Sequence, residues 1–409
     1  MVSEPAVPDR QYAALDESAA AAYAAARPPL RHGGGDPGEV RAREVGDGNL
    51  NLVFIITSQS GRSCALKQAL PYVRLVGESW PLTIQRNALE RHAYEIYSSI
   101  TPDLVPRVYH ADERQALFIM EDLSRLRIVR GALTEGRLFP RLAEDVARFA
   151  AETMIRTCDF YLDSGEKKRL VARCVNPELC KITEDLVLTD PFFDAPSNQI
   201  EPELRPAMEE LWQDTRAQDS VARLRHAFVT RAEALLHGDL HSGSVMADRE
   251  ETKIVDAEFA FFGPVAFDIG MFIANLWISA IAHHKTHPEN PFARAVFAQA
   301  DDTWRCFAAR VEALVADAPI WRLPAGARRE YLLALARDAA GFAGAEMIRR
   351  TIGLARVADL EGIADRATRL RAKAATLAAG RALLCESPTI DAFREAHRLV
   401  GRGAGLDVR

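Results

Sequence analysis

The run Leu235-Leu236-His237-Gly238-Asp239-Leu240-His241-Ser242-Gly243-Ser244, followed by Lys253-Ile254-Val255-Asp256-Ala257-Glu258, decides the fold. Each half is a short apolar strand that runs into carboxylates. Segments of that length suit a hairpin that folds back, so Asp239, Asp256 and Glu258 can converge. Phosphoryl transfer needs one carboxylate to orient the attacking hydroxyl and accept its proton. It needs others to hold Mg²⁺ against the phosphates. Mg²⁺ prefers hard oxygen ligands and keeps several waters, so one or two carboxylates suffice. Two other readings stand beside this one. His237-x-Asp239-x-His241 has the ligand types of a zinc or iron site, although no third histidine donor lies nearby. Alternatively, the histidines order the backbone, which is the reading adopted for His237.

Upstream, Val53-Phe54-Ile55-Ile56-Thr57 reads as a strand, and Cys64-Ala65-Leu66-Lys67 as its return after a polar turn. Gly46-Asp47-Gly48-Asn49-Leu50-Asn51 precedes them. Glycines there permit positive φ and let backbone N–H groups approach an anion. Lys67, on an inward strand face beside this loop, is placed to reach phosphates. No GxxxxGK[ST] motif is present. Leu89, Ala93, Ile96 and Tyr97 recur at helical spacing, and Leu117-Phe118-Ile119-Met120 is a strand ending at Glu121-Asp122. Residues 1–34 read as a peripheral extension, with Asp16 capping an alanine-rich helix from about Glu17 to Ala26 and Gly33-Gly34-Gly35 punctuating a linker.

Downstream, helical periodicity runs through 141–162, 203–234, 293–315 and 327–383. Asp268 opens an apolar helix and reads as its cap, compatible with a part in holding the 237–244 loop. Arg349-Arg350 follow a small-residue stretch whose Gly341 and Gly344 permit close approach of another segment. Adjacent helical residues diverge by about 100°, so at most one arginine need face a given site. The fold class is α+β and bilobal. Residues 35–120 form a small β-rich lobe, 121–124 a hinge, and 125–409 a large, mostly helical lobe.

At 409 residues the chain exceeds one ordinary core, which suits two lobes. A net charge of −6 with no basic tail disfavours nucleic acid as a partner. The six cysteines form no CxxC pair and read as reduced thiols of a cytosolic protein. The N-terminus has no basic-then-apolar signal pattern. The apolar stretch from Val265 to Ala282 is broken by Asp268, Asn275 and Ser279, so it reads as a buried helix and not a membrane span.

Further segments carry a resemblance from about Val45 to Leu360: GDGNLNLVF at 46–54, KQALPYVRLVGESWPLT at 67–83, MEDLS at 120–124, NPELC at 176–180, LTDPFFD at 188–194, HGDLHSGS at 237–244, FAFFGPVAFDIGMFIANL at 259–276 and GFAGAEMIRRTIGLARVADL at 341–360. With these the chain resembles the 5-methylthioribose kinase family, in the aminoglycoside-phosphotransferase-like branch of the protein-kinase-like fold. HGDxH alone would indicate only the broad group. VGESWPLT and Ser244, where the wider group commonly has asparagine, are more specific. The resemblance implies ATP-dependent phosphorylation of the 1-hydroxyl of 5-methylthioribose, giving S-methyl-5-thio-α-D-ribose 1-phosphate in methionine salvage. It implies Asn51 and Lys67 at the ATP phosphates, and Glu121, Asp122 and Leu123 as the hinge meeting adenine. It implies Asp239 as catalytic base and substrate contact, and Asp256 and Glu258 as Mg²⁺ ligands that, with Ala257, line the ATP site. Arg349 and Arg350 would line the substrate side, and Trp80 a loop closing over the sugar. A cytoplasmic homodimer is also implied. The family's metal motif usually reads Asp-Pro-Glu; here Ala257 replaces the proline, which frees φ at that position. The alternatives are a kinase for another small alcohol (5-deoxyribose, an aminoglycoside, choline or homoserine) and a non-catalytic nucleotide-binding module.

Overall fold

The computed structural model describes residues 12–30, 38–45, 50–73 and 77–406, with backbone alone for 73 and 77–80. It divides into two compact units: Met1–Arg127 with Lys253–Ala260, and Ile128–Thr252 with Phe261–Arg409. Residues 253–260, assigned by the sequence reading to the helical lobe, therefore pack into the β-rich unit.

That unit is built on a five-stranded antiparallel sheet in the order Val40–Glu44, Asn51–Ser58, Ser63–Ala69, Leu117–Met120, Val108–Asp112. In the strand pair, Val53 lies opposite Lys67. The helix Arg86–Ile100 packs beside the sheet and buries Arg86, Glu90, Ala93, Tyr94 and Tyr97. The N-terminal segment is not peripheral. Asp16 Oδ1 accepts the Ala19 N–H at 2.7 Å and caps the helix Glu17–Ala25. Ala20, Ala24 and Leu30 are fully buried in one cluster with Phe54, Ile56 and Leu66. The alanines are small because the helix lies close on the sheet. The buried side chain of Gln68 accepts the Leu15 N–H at 2.8 Å and donates to the Ala13 carbonyl at 2.9 Å. This ties the segment to the strand that carries Lys67.

The second unit is mostly helical. Its long helices are Leu142–Arg156, Thr215–Thr230, Ala266–Thr286, Phe292–Ala316, Ala325–Ile352 and Arg366–Glu386. Phe267 stands 5.2 Å from both Phe228 and Phe342 by ring centroids, at the centre of the core. Each such buried ring stabilises by about 1.5–3 kcal/mol. A Cβ on Gly344 would lie 2.7 Å from the Gly380 carbonyl oxygen, which is the close approach that position requires. Among the described residues one helix, Ala266–Thr286, is long and apolar enough to cross a membrane, and it is almost wholly buried inside this unit. All six cysteines are free.

Candidate active site

The loop at 237–244 grows out of the strand Ala234–Leu236, which pairs with Phe261–Gly263. Gly238 takes φ +83°, a conformation that favours glycine. Asp268 is not the helix cap. It lies inside the first turn of Ala266–Thr286, where its carboxylate accepts the N–H groups of His237 at 2.7 Å and Gly238 at 3.1 Å. Burial pushes its carboxyl up to about 7, against the pull of those donors. Ser244 Oγ accepts the His241 N–H at 2.9 Å and lies 2.9 Å from the Asp239 carbonyl, closing the loop on itself.

The histidines are scaffolding. His237 Nδ1 accepts the Asp239 N–H at 3.3 Å. His241 Nδ1 accepts the N–H groups of Gly243 at 2.9 Å and Ser244 at 3.1 Å. The proton of the neutral ring is therefore on Nε2, which faces Asp239 Oδ2 at 3.3 Å. Burial, aided by Arg130 and Arg350 and opposed by Asp239, lowers His241 to about 4. Neither nitrogen is disposed as a metal ligand. No group of three or more His, Cys, Asp or Glu among the described residues is arranged to hold a metal ion.

The Asp239 side chain is 28% exposed. Partial burial raises its pKa, but His241, Arg350 and Arg349 outweigh this, and the carboxyl sits well below the usual range. Arg349 Nη2 and Arg350 Nη2 reach 3.5 and 3.7 Å from the same Oδ1. Both arginines thus face Asp239, where helical geometry alone suggested one. They converge because Glu346, one turn earlier, binds both. Its oxygens lie 2.6 Å from Arg349 Nε and 2.7 Å from Arg350 Nε.

The β-rich unit holds the other candidates. Lys67 is buried, binds Glu90 at 2.8 Å and pairs with Asp256. Asp256 has φ +68°, uncommon for a residue other than glycine, and its N–H is held by Tyr94 Oη at 2.7 Å. Its carboxylate is 55% exposed. Ala257 opens a single buried 3₁₀ turn, Ala257–Phe259. Glu258 is buried; its oxygens accept from Asn51 Nδ2 at 3.0 Å and Arg86 Nε at 3.0 Å. Burial, together with Asp256, raises Glu258. Burial likewise pushes Glu90 up to about 7, against Lys67. In the segment expected to be the hinge, the Glu121 N–H is spent on the Arg107 carbonyl at 2.8 Å, so a backbone contact from Glu121 to a ligand falls to its carbonyl. The Glu121 side chain takes Arg125 at 2.9 Å, and Asp122 Oδ1 accepts the Ser124 N–H at 2.9 Å. Leu123 is buried. The glycine loop at 46–49 lies outside the described residues. Trp80 falls in the strand Gly77–Pro81, and its side chain lies outside them too.

Arg86, Glu90 and Tyr94 escaped the sequence reading, as did Glu346, Arg130 and the part that Asn275 plays. A signal existed for the first three, because 86, 90 and 94 share one helix face. Another existed for Asn275, a polar break in an otherwise apolar helix.

Residues 41–310 match the phosphotransferase enzyme family. The methylthioribose kinase of Geobacillus sp. (strain WCH70) is 46% identical over 366 residues, covering 87% of this chain and 89% of that protein. That of Exiguobacterium sibiricum is 45% identical over 348 residues, covering 84% and 88%. That of Bacillus cereus (strain B4264) is 43% identical over 376 residues, covering 89% and 93%. The chain belongs to the phosphotransferase enzyme family and, within it, to the methylthioribose kinase family. The protein-kinase-like class expected from the sequence is the one observed, a β-sheet N-terminal unit and a mostly helical remainder.

Proposed function

We infer that this protein transfers the γ-phosphoryl group of ATP to the 1-hydroxyl of 5-methylthioribose, forming the sugar 1-phosphate used in methionine salvage. The observation that carries the reading is the Asp239 carboxylate, faced by Arg349 at 3.5 Å and Arg350 at 3.7 Å, in a chain 46% identical to a methylthioribose kinase. Asp239 orients the hydroxyl and takes its proton late in a loose transition state, so a low carboxylate pKa suffices. The arginines offset charge on the transferred group. In the β-rich unit Lys67 meets the ATP phosphates, and the backbone of Glu121 to Leu123 meets the adenine edge. Trp80 belongs to the segment that covers the sugar. The donor set fits Mg²⁺: Asp256 offers an exposed hard-oxygen carboxylate, with Glu258, braced by Asn51, two residues on across Ala257. When bound there, Mg²⁺ would shield the charge of the phosphates. The family resemblance supports a homodimer acting in the cytoplasm.

The test is ADP release with methylthioribose, 5-deoxyribose and an aminoglycoside as acceptors. Methylthioribose should be the best acceptor. Asp239→Asn should lower kcat by about 10³-fold while ATP still binds. Turnover confined to the aminoglycoside would sink the substrate assignment. A variant within a few-fold of wild type would sink the base assignment.

A further inference from the structure

Glu346 is fully buried behind the arginine pair. It grips both guanidinium groups by their Nε atoms, at 2.6 and 2.7 Å. Their Nη2 atoms stop at 3.5 and 3.7 Å from Asp239 Oδ1. Those separations are long: an unrestrained arginine–carboxylate contact closes to about 2.7–2.9 Å. Two such contacts would occupy the acceptor positions that Asp239 needs for a substrate hydroxyl. Arg350 Nη2 is buried and makes no hydrogen bond among the described residues, so it is held short of an acceptor.

Glu346 is itself held. Asn275 Nδ2 donates to its Oε1 at 3.0 Å. Arg130 Nη2 donates to Asn275 Oδ1 at 2.9 Å, and the Arg130 N–H donates to the Ser242 carbonyl at 2.9 Å. The contacts run from the 237–244 loop through Arg130, Asn275, Glu346 and the arginines back to that loop at Asp239. Such a closed ring fixes the distance between its members more tightly than pairwise contacts would.

We propose that Glu346 is a positioning residue: by holding Arg349 and Arg350 through Nε it keeps them from closing on Asp239. The carboxylate stays available for the acceptor hydroxyl, and the Nη groups stay available for the oxygens of the transferred phosphoryl group. The proposal rests on the reading of Asp239 as the base.

Steady-state kinetics of the full chain with ATP, Mg²⁺ and methylthioribose test it in Glu346→Gln, Arg350→Met and the double variant. Glu346→Gln should lose about 100-fold in kcat with the KM for ATP unchanged, and Glu346→Asp should recover part of that loss. The released arginines then inhibit, so Arg350→Met should cost about tenfold less in the Glu346→Gln background than in wild type. A merely structural Glu346 predicts additive costs, and additivity overturns the proposal. So does a Glu346→Gln enzyme within about threefold of wild type. If Glu346→Gln does not fold, Asn275→Ala is read the same way: a lower kcat at unchanged KM for ATP supports the proposal, and wild-type kinetics overturn it. Wild type and Asp239→Asn are run alongside. An inactive wild type, or an active Asp239→Asn, is a failure of the base reading itself. A dead Asp239→Asn beside an unaffected Glu346→Gln removes the positioning role alone.

Discussion

Asp268 accepts the backbone N–H of His237 at 2.7 Å, from inside a different element of the same unit. It takes the Gly238 N–H as well, at 3.1 Å. The loop bearing Asp239 therefore hangs on a carboxylate that has no route to solvent. Asp268→Ala leaves those amides buried without partners, at about 1–3 kcal/mol each. Urea unfolding should show a loss of about 2–5 kcal/mol, with Asp268→Asn intermediate because its amide oxygen still accepts. Wild-type stability in Asp268→Ala would mean that the loop holds its shape without this anchor.

Lys67 and Glu90 form a pair that is 5% and 1% exposed. Removing one partner strands the other charge, at a cost of about 3–5 kcal/mol. Lys67→Met should therefore destabilise the protein as well as weaken ATP binding. The double variant Lys67→Met/Glu90→Gln should regain part of the stability, since the buried Glu90 charge is then no longer stranded. Denaturant midpoints of the single and double variants check this; a double variant less stable than Lys67→Met would contradict it.

The candidates in each unit were legible in sequence because their settings are local. Asp239, Asp256 and Glu258 sit at the ends of short apolar runs, and Lys67 ends a run opposite Val53. Arg86, Glu90 and Glu346 were harder to see. A charged residue on a helix is usually solvated, and only the three-dimensional arrangement shows that these three are buried against opposite charges. The two arginines misled for a related reason. Backbone geometry separates residues 349 and 350, but their long side chains are gathered by an acid that the spacing did not flag. The alanines of residues 17–25 read from sequence only as a helix of a peripheral extension. They are small because they lie close against the sheet.

Asp256, Glu258 and Glu90 are three carboxylates set against two cations, Lys67 and Arg86. The cluster thus gathers hard oxygen atoms around one exposed donor, the ligand type Mg²⁺ prefers. Mg²⁺ without nucleotide should raise the melting temperature, on the order of 1–3 °C at tenfold its Kd. Asp256→Asn should abolish that shift, whereas Na⁺ at matched ionic strength should not produce it. An identical Mg²⁺ response in Asp256→Asn would place the cation elsewhere.

His397, on the C-terminal helix Phe393–Ala404, should give the protein a specific acid sensitivity. Its ring stacks on Phe297 at 3.8 Å between centroids, and its Nδ1 accepts the Trp277 indole N–H at 3.2 Å. Protonating Nδ1 would set one N–H against another. Burial, opposed by Asp301 and Asp302 and aided by Arg394, lowers the imidazole to about 4. The folded state therefore binds fewer protons than the unfolded chain, whose histidine titrates near 6.5. Stability from this residue is complete above about pH 6.5 and is lost as pH falls through about 4. Between pH 7 and 4.5 the loss should be about 2–3 kcal/mol. His397→Phe keeps the packing and removes the titration. Its unfolding free energy should fall less than that of wild type by that amount over the same interval, read from urea midpoints at the two pH values. Parallel pH dependences for the two proteins would show that the acid response originates at other groups.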